Sequence, residues 1–145
     1  CGKPVNIKKG LSVHGGQVRH IIAKVESTGN RKILITERGT TFGYNNLVVD
    51  MRSLSLMREF GYPIIFDATH SLQLPGGAGR ESGGDSWLVP SIARAAVAAG
   101  CDAVFIETHI SPEKALSDSA TMLPILQLRS LWQQLVKIDE TVNKK

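Results

Sequence analysis

Cysteine, aromatic residues and long apolar runs are all scarce in this 145-residue chain. Two cysteines, Cys1 and Cys101, supply neither a zinc framework nor a disulfide scaffold, which suits a reducing cytoplasm. No apolar run approaches the roughly 18 residues of a membrane span. The start, Cys1-Gly2-Lys3-Pro4, has no apolar signal-peptide core, so no membrane is expected as a partner. Aromatics make up 6% and no block of about five like charges occurs, which argues against nucleic acid. The net charge of +4 then describes a mildly basic protein, or one with a site for anions. His-Glu-x-x-His, the P-loop and the dinucleotide fingerprint are absent as well.

The residues that are present can build a core: 42% are hydrophobic and 21% charged. The organising stretch is Ile64-Ile65-Phe66-Asp67-Ala68-Thr69-His70, an apolar run after Pro63 that ends in polar groups. Such a run reads as a strand buried on both faces, with its C-terminal end opening to a loop. The same pattern recurs. Strands are expected at Pro4–Lys8, Lys32–Thr36 and Ala103–Ile106. Helices are expected at Gln17–Val25, around Leu54–Phe60, at Ser91–Ala99 and through Leu128–Ile138. Gly29, Gly61 and Gly100 stand where the first three helices should stop.

Strict alternation of strand and helix predicts parallel strands with right-handed crossovers. Helix-to-strand links are a few residues long. The links after strands two, three and four run to about a dozen or more, and loops of that length usually serve a purpose. They gather at the C-terminal end of the strands, where α/β active sites lie. Four units cannot close a barrel, which needs eight strands and roughly 250 residues. The chain begins at Cys1 and enters a strand almost at once, which suggests part of a longer polypeptide and favours half a barrel over an open sheet with bare edges.

Two groupings at the strand ends point to chemistry. Lys8 and Arg38, on adjacent strands, could meet over one anion, with Arg38 as a flat fork and Lys8 as a point charge. Ordinary salt bridging, for example to Glu37, explains them equally. Lys9 should face the other way because side chains alternate. His70, Glu107 and Asp118 offer one imidazole and two carboxylates, a set that suits a divalent metal. The alternatives are a hydrogen-bonded strand-end histidine and a turn-capping aspartate. His109 reads as a second strand-end candidate or a solvated loop residue. The segment from Ser71 to about Ser86, with Pro75-Gly76-Gly77-Ala78-Gly79-Arg80-Glu81-Ser82-Gly83-Gly84, is a phosphate cradle, a lid or a simple turn.

Five stretches carry a resemblance: Asn6-Ile7-Lys8-Lys9-Gly10; Thr36-Glu37-Arg38-Gly39-Thr40-Thr41-Phe42-Gly43-Tyr44-Asn45-Asn46; Phe66-Asp67-Ala68-Thr69-His70-Ser71-Leu72-Gln73; Ser82-Gly83-Gly84; and Ala115-Leu116-Ser117-Asp118. Over nearly its whole length the chain resembles the 3-deoxy-D-manno-octulosonate 8-phosphate synthases (2-dehydro-3-deoxyphosphooctonate aldolases). The related heptulosonate-phosphate synthases match the second stretch less well. The resemblance implies residues 1–145 as strands five to eight, the C-terminal half of a single (β/α)₈ TIM barrel whose N-terminal half is absent from this chain. It implies a cytoplasmic transferase of lipopolysaccharide biosynthesis, tetrameric in full-length form. The reaction condenses phosphoenolpyruvate with arabinose 5-phosphate and water.

It further implies that Lys8 and Arg38 bind phosphoenolpyruvate and that Ser82 lies in the arabinose-phosphate loop. Gln73 sits near the metal, and His70, Glu107 and Asp118 ligate a divalent metal in the metal-dependent class. Leu74-Pro75-Gly76-Gly77 resembles that class. The deciding Cys or Asn would lie on a strand this chain lacks, and Leu11–Arg19 and Asp85–Leu88 depart from the family wording. A catalytically inactive half-barrel acting as an assembly partner is the alternative expectation.

Overall fold

A computed structural model describes residues 2–78 and 81–142, with the backbone alone at 77, 78, 81 and 82. In chain order the elements are β1 (Val5–Lys8), α1 (Val18–Glu26), β2 (Ile33–Glu37), β3 (Thr40–Gly43), β4 (Asn46–Val48), α2 (Arg52–Arg58) and β5 (Ile64–Asp67). They continue with β6 (Gln73–Ala78), β7 (Glu81–Gly84), α3 (Val89–Ala98), β8 (Ala103–Phe105), β9 (Thr108–His109), β10 (Leu123–Pro124) and α4 (Ile125–Val142).

Four strands form one parallel sheet in the order β1-β2-β5-β8. Spatial order therefore follows chain order, with no reversal of the kind that splits a doubly wound sheet. Ile7, Ile33, Ile35, Ile64 and Phe66 of the strands, together with Val18, Ile22, Leu54, Met57, Ala93, Ala96 and Leu131 of the helices, belong to one buried cluster. Periodicity explains the helices: Val18 and Ile22 of α1 lie one turn apart and both face the sheet. Small residues do the corresponding work on α3, where buried Ala93 and Ala96 help make room for α4. Left-handed glycines end α1 and α3, at Gly29 (φ 81°) and Gly100 (φ 92°), as their placement in the sequence predicts.

The outer strand β8 is incompletely covered. Phe105 is 38% exposed, and on α4 Ile125, Trp132 and Val136 are exposed as well. A cavity of about 270 Å³ lies here, lined by Val104, Cys101, Trp132 and Leu135 among others.

Three small pairings differ from the loops that the sequence suggests. Residues 37–46, expected as a polar loop, contain the antiparallel pair β3–β4. Tyr44 (φ 54°) and Asn45 (φ 55°) are both left-handed at its turn, the geometry of a tight hairpin. Tyr-Asn is not one of the glycine-containing turn signals, so the hairpin goes unread in sequence. Within the glycine-rich segment, residues 73–78 and 81–84 likewise pair as antiparallel strands, β6–β7, with Gln73 opposite Gly84. High glycine content hides strands from propensity. The third pairing, β9 with β10, is parallel and clamps the loop that carries Asp118.

Candidate active site

The C-terminal ends of β1, β2, β5 and β8 carry the chemistry. Asp67, the last residue of β5, has a side chain fully shielded from solvent. Its Oδ2 lies 2.7 Å from Lys8 Nζ and 2.8 Å from His70 Nδ1. Its Oδ1 accepts from the His70 backbone N–H (2.9 Å) and from Thr69 Oγ1 (3.1 Å). Burial alone would push this carboxyl up. Hydrogen bonds from His70 and Lys8 outweigh that effect and hold it at about 2.

An ionised carboxylate can only accept, so the His70 Nδ1 in contact with it carries the hydrogen. In the neutral ring the other nitrogen, Nε2, is then a bare lone pair. It faces Glu107 Oε2 at 3.4 Å, and that oxygen is buried without a hydrogen-bond partner. Two acceptors facing each other, one of them orphaned, form an arrangement that a cation between them relieves. Asp118 completes the set: one ligand atom from each of His70, Glu107 and Asp118 lies within 4.8 Å of the others. Imidazole plus two carboxylates is a donor set for a divalent first-row metal, and Asp67 behind His70 supplies the orienting carboxylate such a histidine usually has. On donor chemistry, these residues fit a metal.

Arg38, just beyond β2, approaches from the other side. Its NH2 donates to Gln73 Oε1 (2.6 Å) and lies 3.4 Å from the His70 carbonyl, while its Nε is buried without a partner. Gln73 Nε2 in turn donates to Asp118 Oδ1 at 2.5 Å. Lys8 Nζ sits 4.9 Å from the centre of the Phe105 ring, a cation–π contact. The same ring lies 5.7 Å from that of His70.

Behind this layer a buried lattice fixes the strand ends. Lys9, turned away from Lys8 as alternation requires, donates to Val13 O, Gly39 O and Thr40 Oγ1 and lies 3.3 Å from Glu37 Oε1. Glu37 accepts from the Gly39 N–H and from Ser53 Oγ, each at 2.7 Å. The residues flanking Arg38 are thereby held. Thr69 Oγ1 accepts from the Glu107 N–H at 3.3 Å and joins the ends of β5 and β8.

Lys8, Arg38, His70, Gln73, Glu107 and Asp118, all singled out in sequence, are thus linked at one end of the sheet. Lys8 pairs with Asp67, whereas the partner suggested for it, Glu37, takes Lys9. His109 is not in the group; its Nδ1 is engaged by the Ser111 backbone. The side chain of Ser82 lies outside the described residues. Sequence reasoning underrated Asp67, which organises both Lys8 and His70. The Asp-x-x-His spacing is the signal that could have found it, because three residues place His70 N and Nδ1 back over the carboxylate. Phe105 left no such signal.

Known proteins resemble this chain along almost its whole length. The chain matches the model of the DAHP synthetase I family over residues 1–144. A 2-dehydro-3-deoxyphosphooctonate aldolase of Dichelobacter nodosus is 55% identical over 141 residues, covering 97% of this chain and 51% of that protein. One of Desulfatibacillum aliphaticivorans is 56% identical over 137 residues, covering 94% of this chain and 50% of the other. One of Methylococcus capsulatus is 53% identical over 141 residues, covering 97% and 50%. The chain spans about half the length of the curated relatives it matches. On a match that runs from the first strand to the last helix, the chain belongs to the DAHP synthetase I family.

Proposed function

We propose that this chain is the C-terminal half of a 3-deoxy-D-manno-octulosonate 8-phosphate synthase, contributing strands five to eight of a (β/α)₈ barrel. The observation that carries the proposal is the linkage of two cations, Lys8 and Arg38, to the His70–Glu107–Asp118 triad at one end of the sheet. The half-barrel reading is supported by a parallel sheet whose order follows the chain, by the uncovered apolar side of β8 and α4, and by relatives about twice as long. No helix among the described residues is long and apolar enough to cross a membrane. On the family resemblance, we propose a cytoplasmic enzyme that is tetrameric in its full-length form.

In this proposal phosphoenolpyruvate and arabinose 5-phosphate meet above the strand ends. C3 of phosphoenolpyruvate attacks the sugar aldehyde, water adds at C2, and phosphate leaves by cleavage of its C–O bond. Lys8 and Arg38 neutralise and orient phosphoenolpyruvate, and the buried Nε of Arg38 is a donor still without a partner. Asp67 holds Lys8 and keeps His70 in the tautomer that presents Nε2. His70, Glu107 and Asp118 would hold a divalent metal. Bound there, such a metal polarises an oxygen or lowers the pKa of a water. Holding both phosphorylated substrates together converts a two-body encounter into an effectively unimolecular step. Ser82 is assigned to the arabinose-phosphate loop.

The test is phosphate release from phosphoenolpyruvate by the protein at its natural length. Release is expected with arabinose 5-phosphate and not with erythrose 4-phosphate; the reverse preference would move the chain to the heptulosonate synthases. Arg38→Ala should weaken phosphoenolpyruvate binding by about 30-fold or more, the scale of a lost charge-assisted pair. Unchanged affinity would remove the anion-site assignment.

A further inference from the structure

We infer that Gln73 is a positioning residue through which metal occupancy and anion binding are thermodynamically coupled. This inference rests on the site assignments proposed above.

Gln73 joins Arg38 to the metal-ligand candidates through one side chain, as Asp67 joins Lys8 to His70. Its Oε1 accepts from Arg38 and its Nε2 donates to Asp118. Guanidinium can only donate and carboxylate can only accept, so the orientation of the amide is forced by its partners. Each end restrains a group that would otherwise turn. Arg38 Nε has no partner and is buried, so the NH2 bond to Gln73 helps set the plane in which that edge is presented. Asp118 stands in a left-handed backbone conformation (φ 51°), which aspartate tolerates only at some cost, and the bond from Gln73 is the restraint on its Oδ1.

The consequence is a linked equilibrium. A metal that orders Asp118 also orders Gln73, and through it the guanidinium edge that would meet an anion. An anion that orders Arg38 pre-orders Asp118 for the metal. Such coupling is positive and, by linkage, equal in both directions. Attraction through space between metal and anion, and the Lys8–Asp67–His70 link, add a background that does not pass through Gln73, so a variant at this position separates its contribution from theirs.

The experiment is calorimetric titration of the protein at its natural length with manganese(II) alone, with and without saturating phosphoenolpyruvate, and with no sugar phosphate present. In the native protein phosphoenolpyruvate should tighten manganese binding by about fivefold or more, the lower end of measured allosteric couplings. The reciprocal titration should return the same factor. Gln73→Met, similar in size and unable to make either bond, should bring the factor to about twofold or below. Gln73→Asn keeps an amide one methylene too short for both partners and should do the same. Native protein that binds both ligands, with a coupling factor unchanged in both variants, overturns this inference alone. Native protein that binds neither ligand overturns the site assignment and the inference with it.

Discussion

Lys9 Nζ lies 3.3 Å from Glu37 Oε1, with both side chains shut off from solvent, directly behind the two cations of the site. Lys9 adjoins Lys8 in sequence and Glu37 adjoins Arg38, so this ion pair anchors both strand ends. Removing one partner leaves a buried charge uncompensated, which typically costs about 3–5 kcal/mol. Glu37→Gln and Lys9→Met should each lower stability by about 3 kcal/mol in urea unfolding. The double variant Lys9→Met/Glu37→Gln should lose less than the sum, because neither charge is then stranded.

A second close relationship governs the loop that carries Asp118. A Cβ at Gly84 would collide with the Thr121 side chain and come within 3.2 Å of Ala120 O. Thr121 N–H donates to Asp118 O at 3.0 Å, so a displaced Thr121 drags the metal-ligand candidate with it. Gly84→Ala should destabilise by about 1–3 kcal/mol, the usual cost of overpacking, and weaken metal binding. Adding Thr121→Ser removes the offending methyl but keeps the hydroxyl. It should recover most of both losses in thermal melts and metal titrations.

The third prediction concerns the metal itself. His70→Ala removes the nitrogen that faces Glu107 and should abolish stoichiometric metal in the natural-length protein, read by elemental analysis. Metal retained at one per chain would count against the ligand role. Asp67→Asn leaves all three donors in place but takes the orienting charge from His70. Affinity should fall by about 10–100-fold, as for other losses behind a metal-bound histidine.

Alkaline pH should expose Cys101. Burial, reinforced by the neighbouring Asp102 charge, raises its thiol from 9.0 to about 11. The folded state therefore binds the proton more tightly than the unfolded one. This contribution is complete below about pH 9 and is lost as pH rises toward 11, with a size of about 3 kcal/mol. Stability curves of the native protein and Cys101→Ala should converge across that window, since the variant has no thiol to titrate. Parallel curves would contradict the shift.

Much of the frame is legible in the residues alone. Apolar runs such as Ile64-Ile65-Phe66 and helical spacings such as Val18/Ile22 announce strands and helices, because burial on a fixed period is a local property. The left-handed glycines fall where the helices stop for the same local reason. The pairings of 40–43 with 46–48 and of 73–78 with 81–84 were not legible, since Tyr44-Asn45 is not a recognised turn signal and glycines give no strand propensity. Pairing made those segments into strands.

The donor types at the site, Lys8, Arg38, His70, Glu107 and Asp118, were determined by the sequence and its family wording. Their partners were decided only in three dimensions. Lys8 could have met Glu37 or Asp67, and the packed sheet gave Glu37 to Lys9 and Asp67 to Lys8. Gln73 could have been a solvated loop residue, and the fold placed it between Arg38 and Asp118. The reason is physical: which polar groups pair depends on angles and distances of a few ångströms between segments tens of residues apart. Local chemistry can offer donors and acceptors, but only the packed chain brings them within bonding range.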